Sequence, residues 1–276
     1  MNTIDFSRFH TAITHDGIFH ADEVAALELA RMAGFNAKTI RTRDKHILQT
    51  ALADPNVLVL DCGGQYDPEM GNFDHHQNKN STKATAGLVW NFVKNQLYPN
   101  DTFAQKLVGE VIDAIDRFDL GLENAANTLG DDLSIRGYRS VSQMVSGFNR
   151  VEWGSDVQDE QFKTAQLIIE NEIYAAVQRA NAEKIYEFRK EISPNTALFS
   201  KFCPIWKEKN QYNFAVMPYT TAGQWQIVSS DSVKYPLPEK TVLDNLVGDK
   251  LIFRHQSGFM ATFADFDSAM EVAKCL

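Results

Sequence analysis

Histidines and carboxylates crowd into three short stretches of this 276-residue chain. The first is His15-Asp16-Gly17-Ile18-Phe19-His20-Ala21-Asp22-Glu23. The second is Asp61-Cys62-Gly63-Gly64, followed after a short loop by Asp74-His75-His76-Gln77. The third is Asp113-Ala114-Ile115-Asp116. Mixed imidazole and carboxylate donors suit Mn²⁺, Mg²⁺, Fe²⁺, Co²⁺ or Zn²⁺. His15, His20, Asp22, Asp61, Asp74, His75, His76, Asp113 and Asp116 are too many donors for one tetrahedral ion. Two ions sharing a carboxylate would use them. Such a pair, ~3.5–4 Å apart, activates a water and stabilises the attacking and leaving oxygens of phosphoryl transfer. His20 and Asp22 are two apart, so an extended loop would point both the same way. Each residue alone has a plainer role: Asp61 can end a strand, Asp22 can cap a helix, and Asp113 and Asp116 can solvate a helix face. A common accident of all of them at one place is the poorer account.

The elements that would carry these residues follow from periodicity. Phe9 to Thr14 reads as a strand that runs into the turn His15-Asp16-Gly17. From Asp22 the apolar residues Val24, Ala25, Leu27 and Ala30 recur at helical spacing, and Gly34 ends that helix. Ala37 to Arg41 reads as a strand, Lys45 to Leu52 as a helix, and Val57 to Leu60 as a strand buried on both faces. Helices follow over Ala84 to Leu97 and Thr102 to Phe118. Alternation of this kind predicts an α/β fold with a parallel sheet and helices on both its faces. His15 and Asp61 would then emerge at the carboxyl edge, where such sheets place ligands. From Asp159 to about Ile192 a long helix is expected. It is followed by strands at Ala197–Phe202, Asn213–Pro218, Gln224–Ser229, Leu251–Arg254 and Gly258–Phe263, and by a helix from Asp265 to Cys275. That half predicts a smaller α+β domain. The expected organisation is a metal-binding domain over 1–140 and a substrate-binding domain over 141–276.

Composition sets outer limits. Hydrophobic residues make up 44% of the chain and charged residues 23%, as in ordinary globular proteins. The net charge is −9 and the pI about 5.3, which argues against loose whole-surface attraction to nucleic acid. Divalent cations bound in a carboxylate cluster would reverse that sign locally. Cys62, Cys203 and Cys275 are widely spaced, so neither a disulfide framework nor a cysteine zinc site is expected. No leader and no run of ~18 apolar residues is visible, so a cytoplasmic protein without a membrane partner is expected.

These motifs resemble the DHH phosphoesterase superfamily, named for the triplet that stands here as Asp74-His75-His76. The similarity is closer to one branch, the melanocyte-proliferating-gene family of metal-dependent exonucleases. It rests on Thr14 to Glu23, Asp61 to Pro68, Phe73 to Gln77 and Asp113 to Asp116. Weaker likeness runs through Trp225-Gln226, Pro236-Leu237-Pro238 and His255-Gln256-Ser257-Gly258-Phe259. The resemblance implies that His15, His20 and Asp61 hold one metal. It implies Asp22, Asp61, His75 and Asp116 for the second, with Asp61 bridging and Asp113 competing with Asp116. His76 would face the phosphoryl group and Asp74 would orient a histidine. The branch usually continues with Asn-Gly after the last aspartate, whereas Arg117-Phe118 follows Asp116 here.

Arg136, Arg139 and His255 are expected to grip phosphate, and Trp153, Trp225 and Phe259 offer surfaces for bases, although core packing suits these aromatics better. The expected activity is a two-metal phosphodiesterase or exonuclease acting on short RNA or DNA. A small phosphorylated metabolite or polyphosphate is the alternative substrate, and a metal-stabilised binding protein without turnover is the third reading. The long helix is a candidate for a homo-oligomer contact.

Overall fold

The computed structural model describes residues 4–122, 140–149 and 155–276. Its first unit, Met1–Val177, is built on a sheet of order β2-β1-β3-β5-β4. The strands are β1 (Thr11–Thr14), β2 (Lys38–Arg41), β3 (Val57–Leu60), β4 (Tyr66–Asp67) and β5 (Asn72–Phe73). β2, β1, β3 and β5 run parallel, and β4 pairs antiparallel with β5. Every residue of β1 and β3 is buried. Alternate residues therefore serve two cores. Ala12, Leu58 and Leu60 pack with α1 (Ala21–Met32) and α3 (Thr85–Leu97). Ile13, Val57 and Val59 pack with α2 (Lys45–Leu52) on the other face. Each fully buried Leu or Val contributes about 1.5–3 kcal/mol of transfer free energy. That explains why β3 reads as an unbroken apolar run. The expected doubly covered parallel sheet is present.

α4 (Thr102–Asp119) and the short α5 (Val141–Ser146) complete this unit with the first part of α6 (Ser155–Glu187). Phe162, Ala165, Ile169 and Ile173 of α6 enter the same core as α1 and α3. The division between units therefore falls inside α6, after Val177, where the sequence reading set it after residue 140. Burial of that apolar stripe ties the front of the helix to the first unit.

The second unit, Gln178–Leu276, holds a six-stranded sheet of order β10-β11-β9-β8-β7-β6. Its strands are β6 (Lys190–Ser193), β7 (Thr196–Leu198), β8 (Phe214–Pro218), β9 (Trp225–Ser229), β10 (Leu251–Arg254) and β11 (Met260–Phe263). Only the β7–β8 pairing is parallel. Phe214, Val216 and Ile227 pack with α7 (Lys240–Val247) and α8 (Phe266–Ala273), while Ala215, Met217 and Val228 pack with Phe199, Trp206 and Tyr186. The expected helix to Ile192 stops at Glu187 instead. The four residues of β6 turn through Pro194-Asn195 and pair with β7.

Candidate metal centre

Three parallel strands end beside one another and each hands over a donor. His15 follows β1, Asp61 follows β3, and Asp74-His75-His76 follows β5. Asp61 takes φ +56°, a left-handed conformation that aspartate tolerates better than most residues. Its backbone N–H donates to Phe73 O at 2.9 Å, which ties the end of β3 to the end of β5. Gly64, at φ +70°, turns the following loop so that its N–H donates to Asp74 Oδ2 at 2.7 Å.

Donor atoms within 4.8 Å of one another form three groups among the described residues: His15, His20, Glu23 and Asp61; Asp61, Asp74, His75 and His76; and Asp22, His75 and Asp119. Asp61 belongs to two groups and so does His75. His15 Nε2 lies 3.0 Å from Glu23 Oε1 and 3.4 Å from Asp61 Oδ2. His75 Nδ1 lies 3.4 Å from Asp61 Oδ1, and its Nε2 is 3.3 Å from Asp119 Oδ2. Asp74 Oδ1 accepts from the His76 backbone N–H at 2.9 Å and sits 2.8 Å from His76 Nδ1, so Asp74 orients the exposed His76 ring.

The start of α1 and the end of α4 supply the other donors, and the start of α3 supports them. Glu23, in the first turn of α1, is fully buried and accepts the His20 backbone N–H at 3.0 Å while facing His15. α3 has no capping side chain at Ala84. Its free N–H groups are met from elsewhere: Thr85 N and Ala86 N donate to Asp22 at 3.0 and 2.7 Å, and Gly87 N donates to Asp116 Oδ1 at 2.9 Å. Thr85 Oγ1 also donates to Asp61 Oδ1 at 3.0 Å.

Several sequence expectations land elsewhere. His20 and Asp22 do not share an extended loop, because His20 precedes α1 while Asp22 lies inside its first turn; they fall in different donor groups, in keeping with the separate ions that the resemblance implies. Asp116 joins no donor group among the described residues. Its Oδ1 caps α3, its Oδ2 lies 3.7 Å from Lys83 Nζ, and a Cβ added at Gly87 would overlap it. Asp113 is half-exposed and pairs with Lys83 at 3.5 Å. The carboxylate that meets His75 is Asp119, one turn further along α4. The chain continues from it as Leu120-Gly121, nearer the Asn-Gly pattern than Arg117-Phe118 is. Glu23 and Asp119 are therefore candidate donors beyond those expected from the sequence. The signals for them were present: Glu23 stands beside Asp22 in the first stretch, and Asp119 keeps the three-residue spacing of Asp113 and Asp116. Arg136, Arg139 and Trp153 lie outside the described residues. His255 lies in the second unit, where its Nδ1 is 2.8 Å from Ser257 Oγ. In that unit Trp225 packs edge-on against Phe266, and the Phe259 ring lies under Lys207 Nζ at 4.3 Å.

The electrostatics fit a cation. Burial raises Asp22 well above the usual carboxylate range, and the neighbouring Asp61 and Asp119 charges push it further. Burial, then Asp61, raises Asp119 as well. Burial opposes ionisation of Asp61 too, but hydrogen bonds from His15 and His75 hold it well below the carboxylate range. Burial pulls His15 down, yet its hydrogen bonds to Asp61 and Glu23 carry it up to about 10. Carboxylates this close and this buried need positive charge, which here comes from protons on imidazoles. The donor set would accept divalent ions in their place. Above it opens a cavity of about 490 Å³, whose walls include Arg43, Phe118, Leu120, Ser142 and Ser146.

A family model described as "Uncharacterised protein family (UPF0160)", labelled MYG1 exonuclease, matches residues 11–197. "MYG1 protein C694.04c" of Schizosaccharomyces pombe is 29% identical, over 95% of each chain. "MYG1 protein" of Dictyostelium discoideum is 26% identical over 91% of each, and "MYG1 exonuclease" of Homo sapiens is 26% identical over 95% of this chain and 84% of its own. A solved pGpG-specific phosphodiesterase from Vibrio cholerae aligns over 96% of this chain and 97% of its own, at 12% identity. Its TM-score of 0.33 is too low to bear on fold or activity.

Proposed function

The chain belongs to the MYG1 exonuclease family, and from that membership and the resemblance of its motifs to the DHH phosphoesterases we propose that it hydrolyses phosphodiesters using divalent cations held by His15, His20, Glu23, Asp22, Asp61, His75 and Asp119. The observation that carries this reading is the sharing of Asp61 between neighbouring donor groups, with one carboxylate oxygen facing His15 and the other facing His75, as a carboxylate between two adjacent cations would be placed. Bound cations would polarise phosphoryl oxygens and lower the pKa of a water. Asp61 would stand between the ions. Thr85 and the start of α3 would keep Asp61 and Asp22 in place. His76, held through one ring nitrogen by Asp74, would offer the other to a phosphoryl oxygen. Mn²⁺ is the proposed ion.

The proposed substrate is the end of a short RNA or DNA, in keeping with the exonuclease names of the mammalian relatives. A small phosphorylated metabolite or polyphosphate is a second reading, favoured by the net charge of −9 and by a cavity of about 490 Å³. Arg136, Arg139 and His255 remain proposed phosphate contacts. With Mn²⁺ supplied, the wild type should cleave labelled short oligonucleotides and bis(p-nitrophenyl) phosphate. Asp61→Asn and His75→Ala should each lose at least ~10²-fold in rate. Undiminished hydrolysis in both variants would overturn the reading. A panel of nucleotides, sugar phosphates and polyphosphate decides between the substrates. Tight stoichiometric metal binding without turnover on any of them would point to a binding protein.

A further inference from the structure

Among the described residues lining the cavity, Arg43 is the one lysine or arginine, and the topology that delivers the ligands also delivers it. β2, β1 and β3 are adjacent and parallel, with Thr14 beside Arg41 and Ile13 beside Val59. Past their carboxyl ends the chain presents Arg43, His15 and Asp61 from three neighbouring strands. Arg41 shows what a structural arginine looks like here. Its side chain is 4% exposed, Nη1 lies 3.0 Å from Asp159 Oδ1, and Nη2 donates to Gly17 O at 2.7 Å. Its guanidinium also lies over the Phe19 and Phe162 rings. Arg43 differs: its side chain is 65% exposed. Its Nε donates to Asp16 O at 3.3 Å and lies 3.4 Å from Asp16 Oδ1, and its Nη2 lies 3.0 Å from His15 Nδ1.

The contact with His15 depends on where that ring carries its hydrogen. His15 Nδ1 is also 3.1 Å from Asp16 O. A ring nitrogen with a hydrogen donates to the carbonyl; without one it accepts from Arg43; it cannot do both. His15 Nε2 faces Glu23 and Asp61. An imidazole that uses Nε2 as a ligand keeps its hydrogen on Nδ1 and gives it to the carbonyl. Arg43 Nη2 then has no acceptor on His15, and its N–H groups are left for an oxyanion in the cavity.

We propose that Arg43 is a substrate-binding residue of this centre, donating from its guanidinium to the non-bridging oxygens of a phosphoryl group held beside the metal ligands. The proposal rests on the phosphoester reading for its substrate and adds the protein cation that meets the substrate's charge. A guanidinium matches two phosphate oxygens at once, which a lysine ammonium cannot do.

The test uses the full chain loaded with Mn²⁺, with inorganic phosphate as the probe in calorimetry. Mn²⁺ affinity is measured in parallel for wild type, Arg43→Lys and Arg43→Gln. Arg43→Gln should weaken phosphate binding by about tenfold or more and Arg43→Lys by less, with Mn²⁺ affinity within about twofold of wild type. KM for a phosphodiester should rise by a similar factor while kcat changes less. Unchanged phosphate affinity in Arg43→Gln overturns the proposal. So does a loss of Mn²⁺ affinity as large as the loss of phosphate affinity, because Arg43 would then be a support for His15. A wild type that binds phosphate through Arg43 but hydrolyses no phosphoester upholds this role and overturns the hydrolase reading, so the two failures are separate.

Discussion

At the scale of single residues, α4 carries two aspartates three apart with different work. Asp119 faces His75, and Asp116 caps α3. Asp119→Asn should therefore weaken Mn²⁺ binding by about tenfold or more in calorimetry, and Asp116→Asn should leave it near wild type. Asp116 should show itself in stability instead. Burial pushes its carboxyl up from 3.8 to about 6. The folded state then holds the proton more tightly than the unfolded chain. The wild type therefore loses stability as pH rises from 3.8 to 6, by about 3 kcal/mol at 1.36 kcal/mol per unit. Asp116→Asn removes that loss. Urea unfolding of metal-free protein at pH 4 and pH 7 should show the variant gaining on wild type by up to that amount; a constant difference would contradict the assignment. His15 has the opposite sign. Raised to about 10, it stabilises the metal-free fold most below 6.5, and that contribution disappears as pH rises through 10. At pH 7 it is protonated, so metal binding must displace that proton. Calorimetric titration of Mn²⁺ in two buffers of different ionisation enthalpy should report at least one proton released per protein. Buffer-independent heats would mean that no buried group of the centre, His15 included, gives up a proton to the metal.

At the scale of elements, the centre depends on the first turn of α3. Its backbone N–H groups hold Asp22, and the Thr85 hydroxyl holds Asp61. Thr85→Val keeps the shape and deletes that donor. It should weaken Mn²⁺ binding by about tenfold, with Thr85→Ser recovering most of it. Equal affinity in all three proteins would show that the hydroxyl is dispensable. None of this was legible in the sequence, because Ala84 is a poor cap and its partners are 63 and 29 residues away in the chain. What was legible shares a physical cause. β3, α2 and β10 emerged with their bounds intact, since a doubly buried strand, a capped amphipathic helix and a short apolar run all announce themselves locally. His15 and Asp61 could be placed at a strand end for the same reason. β4 and β5, two residues each, carry too little periodicity to be seen. Their absence from the reading left Asp74-His75-His76 on a loop rather than at the end of a parallel strand. Asp119 was missed because the helix was stopped at Phe118, and Glu23 because a carboxylate in a first turn also reads as a favourable helix start.

At the scale of the whole molecule, charge sets how a polyanion can bind. Aspartate and glutamate outnumber lysine and arginine by 36 to 27. Ordinary nucleic-acid binding uses many Lys and Arg contacts, each releasing a counterion, so affinity falls steeply with salt. Here the described residues of the cavity offer Arg43 and the cations that the donor groups would hold. Affinity for a short oligonucleotide should then depend on divalent metal far more than on monovalent salt. In fluorescence anisotropy with Asp74→Asn, which keeps the proposed cation ligands and alters the side chain that holds His76 and the Gly64 N–H, log Kd against log[KCl] should have a slope of about 1 to 3 for single strands, each neutralised phosphate adding about 0.7. Removing the metal should abolish binding at every salt concentration. A slope of ~5 or more that survives chelation would mean that a basic surface elsewhere captures the strand, and that the centre acts on what that surface delivers.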